Sequence, residues 1–165
     1  MLHPLVQKYR RKGILVDANL LVILLVGKLG PAHLKNCRAT KSKSFTPDDY
    51  SLLVQGVTKF DTLVTTPHIL TEVSNLAGRL QQPLLGEFRG MFRELVERFS
   101  EQSLASKEIA RDAHFLRFGL TDTAISMIAP GRYLVLSDDL PLCGLLQKRK
   151  VDVINFNNIR YLGWT

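Results

Sequence analysis

Gly13-Ile-Leu-Val-Asp-Ala-Asn-Leu-Leu-Val-Ile-Leu-Leu-Val26 is the stretch on which the fold turns. Residues 13–16 form a short, wholly apolar run of the kind that a parallel sheet buries on both faces. Asp17 interrupts it. A second apolar run, residues 19–26, then has the length of a helix, although Val22, Ile23 and Val26 are β-branched. A strand that passes directly into a helix, with an acid at the junction, is the opening unit of an α/β domain.

The alternation continues along the chain. Thr46-Pro47-Asp48-Asp49 combines a capping residue, a proline suited to the first helical position and acids that favour the positive helix end. A strand is expected at residues 63–66. Thr66-Pro67 starts a helix through Ile69, Val73 and Leu76, with Gly78 as its stop. Leu85, Phe88, Leu95 and Phe99 give residues 84–100 a helical stripe. Shorter helices follow at 107–115 and 122–128, then a strand at 133–136, a helix at 140–148 and a strand at 151–155. Residues 28–44 read as polar, basic and irregular, with one helical turn after Pro31, and residues 156–165 carry no decisive pattern. The expected fold is α/β: a three-layer α/β/α sandwich with a mostly parallel central sheet. The expected organisation is a single domain over residues 1–165, with its core at roughly 13–155.

Charge separates the first third from the rest. The net charge is +7; residues 1–47 hold nine Lys or Arg and one acid, a net +8, and the remainder is close to neutral. Such asymmetry suits a polyanionic partner, RNA first, with Lys41 and Lys43 as candidate RNA-binding residues. Two cysteines in no metal-ligand spacing fit a reducing compartment. The apolar run is too short to span a bilayer and is broken by Asp17 and Asn19. The expectation is therefore a cytoplasmic protein that does not engage a membrane.

The acids carry the chemistry. Asp17 follows the first strand, Asp138 and Asp139 follow a later one, Asp122 opens an apolar helix, and Glu72 flanks a buried helical stripe. A lone carboxylate at a core is costly and must take a proton, a partner or a cation. In open parallel sheets, sites form beyond the carboxyl ends of the strands. Acids gathered there form a hard-oxygen donor set suited to Mg²⁺ or Mn²⁺. Beside a basic surface, that points to phosphodiester hydrolysis, in which a divalent ion activates water and offsets phosphate charge.

The ordered set Ile14-Leu-Val-Asp-Ala-Asn-Leu-Leu21, Thr71-Glu72, Leu120-Thr-Asp-Thr-Ala124 and Leu136-Ser-Asp-Asp139 resembles the PIN domain family over roughly residues 13–155. The resemblance implies a metal-dependent ribonuclease of the kind found in VapC-type toxins and RNA-processing nucleases. It makes Asp17, Glu72, Asp122 and Asp139 the catalytic, metal-holding acids, with Asp138 as the adjacent candidate. Asn19, Thr121 and Ser137 become supporting polar residues. It also brings an antitoxin protein into view as a partner. The basic segment 28–44 carries no signature of the family. The apolar residues of 91–99 suit the core or a homodimer face.

Two other readings of the same residues compete with it. A phosphatase of the haloacid-dehalogenase type also has an acid after its first strand, but it needs a second Asp where Asn19 stands. A non-catalytic RNA-binding or protein-interaction module could use the same fold. His68 and His114, near helix ends, suit surface or capping roles, and Lys148-Arg149-Lys150 suits a helix C-terminus.

Overall fold

A computed structural model describes residues 4–36 and 44–164. Five strands form one all-parallel sheet: β1 (Ile14–Val16), β2 (Leu63–Thr65), β3 (Ser100–Glu101), β4 (Leu134–Ser137) and β5 (Val153–Asn155). Their spatial order is β3-β2-β1-β4-β5. The helices are α1 (Pro4–Tyr9), α2 (Ala18–Leu29), α3 (Pro47–Val57), α4 (Pro67–Ala77), α5 (Leu84–Val96), α6 (Ser106–Ala110), α7 (Phe115–Ile128), α8 (Leu140–Lys148) and α9 (Phe156–Leu162). A 3₁₀ turn spans Pro31–Asn36. Helices flank the sheet in a three-layer α/β/α arrangement. α2 packs with α3, α4 and α5, whereas α7 packs with α6 and α8. Parallel neighbours require right-handed crossovers, so connections running in opposite directions along the sheet fall on opposite faces.

The first strand and helix behave as their composition demands. All three β1 residues are buried. α2 is buried nearly all round, at Ala18, Leu20, Leu21, Val22, Ile23, Leu25 and Val26. This central position overrides the weak helix propensity of its β-branched residues. At α3, Thr46 Oγ1 accepts from Asp49 N at 3.2 Å and Asp49 Oδ2 accepts from Thr46 N at 2.8 Å, a complete capping box. At α4, Thr66 caps Ile69 N at 3.1 Å.

Several expectations change in detail. Gly78 does end α4, but with φ −58° it stays in the right-handed region and uses none of glycine's special freedom. The helix expected at 84–100 stops at Val96, because residues 100–101 pair with Val64 and Thr65 as the sheet edge. α7 begins before Asp122 and is broken at Gly119, whose φ of 74° and ψ of −168° lie in a region open essentially to glycine alone. The undecided tail forms α9. Arg160 on α9 reaches Asp49 at 2.5 Å and the Ser44 carbonyl at 2.9 Å. Beyond it, Trp164 Nε1 donates to Leu52 O at 2.8 Å. The indole lies against Gly56, where any Cβ would collide with it.

Candidate functional site

The strand order places the chain's change of direction between β1 and β4. Register does the rest. Ile14, Leu15 and Val16 pair with Leu134, Val135 and Leu136, and Asp17 N donates to Leu136 O at 3.1 Å. Asp17 therefore emerges beside Ser137 and Asp138. A cleft of about 190 Å³ opens here, lined by Asp17, Asn19, Glu72, Thr121, Asp122, Asp138 and Asp139 among others. All five acids picked from the sequence thus border one cavity at the carboxyl end of the sheet.

The strand-borne wall is tightly bonded. Asp17 Oδ1 caps α2 by accepting from Leu20 N at 3.0 Å. Its Oδ2 accepts from the Ser137 hydroxyl and from Asp138 N at 3.2 Å. Ser137 Oγ in turn accepts from Asp139 N at 3.0 Å. Burial, together with the neighbouring Asp138 charge, pushes the Asp17 carboxyl up to about 7, against the pull of its three hydrogen-bond donors.

The two candidates after β4 have different surroundings. Asp138 is 2% exposed. Asn19 Nδ2 approaches its carboxylate at 3.5 Å. Asp139 is exposed, and its Oδ1 caps α8 by accepting from Leu142 N at 2.9 Å. The acid preferred by resemblance is thus a helix cap on the rim, and its neighbour is the buried partner of Asp17.

The facing wall is more open. Glu72 flanks the buried stripe of α4 but, contrary to expectation, faces water; it is exposed and accepts from Thr121 Oγ1 at 2.7 Å. Asp122 is half-buried in the first turn after the Gly119 break. Among the described residues, no three His, Cys, Asp or Glu side chains stand together at a spacing that would hold an ion. The donor chemistry fits a hard divalent cation, as does the buried Asp17–Asp138 pair, but the acids border the cleft without forming a closed cage.

Two contributors were missed in the sequence. Asn157 Nδ2 donates to Asp138 O at 3.0 Å and to Asn155 Oδ1 at 2.9 Å. Arg160 is held above its usual range chiefly by its bond to Asp49, and the charge of Asp138 adds to this. The signal available was Asn155-Phe-Asn157, polar residues directly after the last strand. Lys41 and Lys43 lie outside the described residues. No helix among the described residues is long and apolar enough to cross a membrane. No family model matches the chain, and no curated protein and no solved structure matches it.

Proposed function

We propose that the protein is a Mg²⁺- or Mn²⁺-dependent endoribonuclease. The observation that carries this reading is Asp17, a buried carboxyl raised to about 7, set against buried Asp138 at the strand switch point of a cleft bordered by three more acids. Such a pair is a poor structural element, since it forces either a proton or a cation into the site. In this reading Asp17 and Asp138 hold the ion from the sheet side, with Glu72, Asp122 and Asp139 on the walls. When bound, a divalent ion supplies an activated water and offsets charge on the scissile phosphate.

The protein's own part is orientation. Ser137 and the Leu20 and Asp138 amides fix both oxygens of Asp17. Thr121 fixes Glu72, and Asn157 anchors the peptide that carries Asp138. The basic first third of the chain, with Lys41 and Lys43, would neutralise RNA phosphates. Ser44, the first described residue after them, accepts through its carbonyl from Arg160, the guanidinium that also pairs with Asp49. A toxin role with an antitoxin partner rests on the PIN resemblance alone, whereas cytoplasmic action rests on the two cysteines and the short, broken apolar run. A homodimer face rests on the sequence reading of residues 91–99.

The deciding experiment is cleavage of RNA by purified protein. Activity should need Mn²⁺ or Mg²⁺, stop with a chelator, and vanish in Asp17→Asn. Cleavage that persists in that variant, free of contaminating nuclease, overturns the proposal. The acids' failure to form a closed cage favours one alternative, a non-catalytic RNA-binding or protein-interaction module. That reading gains if RNA binds in a salt-sensitive way but is never cut.

A further inference from the structure

Among the described residues, two exposed leucines directly adjoin cleft residues in the chain, and a third lies on the same helix as one of them. Leu116 is 96% exposed, Leu120 37% and Leu140 65%. Leu120 directly precedes Thr121, and Leu140 directly follows Asp139, both cleft residues. Leu116 belongs to the first half of α7, on which a short stack is built, and Leu120 stands just past the break at Gly119. The Phe118 ring meets His114 edge-on at 6.3 Å, and the Arg117 guanidinium lies 5.3 Å from its centre. Phe118 and His114 are half-buried, whereas Arg117 is exposed.

Gly119 separates this half-helix from the half that carries Asp122. Nothing lies within 4 Å of a Cβ placed on Gly119, so the space over the break is open. By chain length alone, Arg117 is within roughly 14 Å of Thr121. Charge favours an anionic visitor: exposed Lys107 and Arg111 on or beside α6 add to Arg117. Against them stand exposed Glu108 on α6 and Asp112, the latter already paired with Arg149 at 2.5 Å.

We propose that the His114–Phe118–Arg117 stack, with Leu116 and Leu120, forms a platform for unpaired bases of single-stranded RNA, seating the strand so that its backbone runs into the acidic cleft. The platform rests on the nuclease reading for its choice of RNA. Its physical basis is general: each base offers an apolar π-face, an arginine adds charge to the stack, and the phosphates take the surrounding cations. A duplex hides its base faces and gains little from such a wall. The arrangement therefore makes the substrate single-stranded, and sequence preference weak.

The test is binding of a fluorescently labelled single-stranded oligoribonucleotide, and of its duplex, measured by anisotropy in chelator. The proteins are wild type, Leu116→Glu with Arg117→Glu, and Phe118→Leu, which keeps an apolar group in its half-buried place. The double variant, which reverses charge, should bind the single strand at least about tenfold more weakly and the duplex less well too; Phe118→Leu, which leaves the charge unchanged, should cost the single strand about threefold or more with duplex binding little changed. Arg117→Ala alone should reduce the salt slope by about one phosphate contact. Unaltered single-strand affinity overturns the platform. So does lost self-association in the double variant with RNA binding intact, which would make the rim a protein interface. Hydrolysis of bis(p-nitrophenyl) phosphate with Mn²⁺, a substrate too small to need the platform, is measured separately. Its absence in wild type sinks the nuclease reading and leaves the binding result to stand or fall by itself.

Discussion

The two walls of the cleft are built differently. Asp17, Ser137 and Asp138 stand on strand ends, are buried, and are fixed by register and a network of short bonds. Glu72, Thr121 and Asp122 stand on helices and are exposed or half-buried, and the Thr121–Glu72 bond links α7 to α4. Sheet register sets position to a fraction of an ångström but forces the acids into low dielectric. Helix placement leaves the acids solvated and adjustable. On the nuclease reading, the strand wall would supply the electrostatic need for a cation and the helix wall further donors to it.

The largest expected effect comes from breaking the strand wall at its centre. Asp17→Asn should lower metal-dependent RNA cleavage by on the order of 10³-fold, several kcal/mol of transition-state stabilisation. In the same variant, Mn²⁺ should no longer raise the melting temperature, whereas in wild type it should. A Mn²⁺-induced shift that survives the substitution would move the ion away from Asp17.

Ser137→Ala tests the network without touching an acid. It removes a donor to Asp17 and an acceptor for Asp139 N in a fully buried place. Stability should fall by about 1–3 kcal/mol, and metal affinity by about 10- to 100-fold. Calorimetry of Mn²⁺ binding, with denaturant melts, reads both.

The pH response should follow from Asp17. Its carboxyl, ordinarily near 3.8, stands at about 7 in the folded protein, so between those values the folded state holds more protons than the unfolded one. Stability from this group is full below the lower value. It declines as pH rises through about 7, with a slope of at most about 1.4 kcal/mol per pH unit. Without metal, the melting temperature should therefore drop from pH 5 to pH 8. Mn²⁺ should restore it, and Asp17→Asn should flatten the profile. A flat wild-type profile would mean that Asp17 is not strained.

On the helix wall the effects shrink. Thr121→Val removes only the bond to Glu72, at a partly solvated site, so stability should stay within about 0.5 kcal/mol. Any loss of cleavage should be several-fold smaller than that of Ser137→Ala. Equal losses in the two variants would erase the contrast between the walls.

How far the molecule is legible in its sequence depends on how local each signal is. β1 followed by α2, and the caps at Thr46 and Thr66, were readable because strand burial and capping are decided by a few adjacent residues. β3 was invisible: Ser100 and Glu101 have no strand character and join the sheet only because β2 offers an edge. α9 was equally hidden, since its partners, Asp49 and Leu52, lie more than a hundred residues away. In the cleft, the strand switch made the convergence of the acids predictable. Exposure was not: Glu72 and Asp139 face water, and Asp138 is buried. Which of two adjacent acids turns inward depends on where α8 takes its cap.

Trp164, the only tryptophan of the chain, is 3% exposed and rests on Gly56. The molecule thereby carries its own optical gauge. Emission from that indole reports whether the segment after α9 is docked on α3, and Trp164 is not one of the residues that line the cleft. Titrations of the cleft can be followed against it as an internal standard. A metal or RNA signal that leaves the tryptophan spectrum unmoved is confined to the cleft, and one that shifts it has travelled through α9.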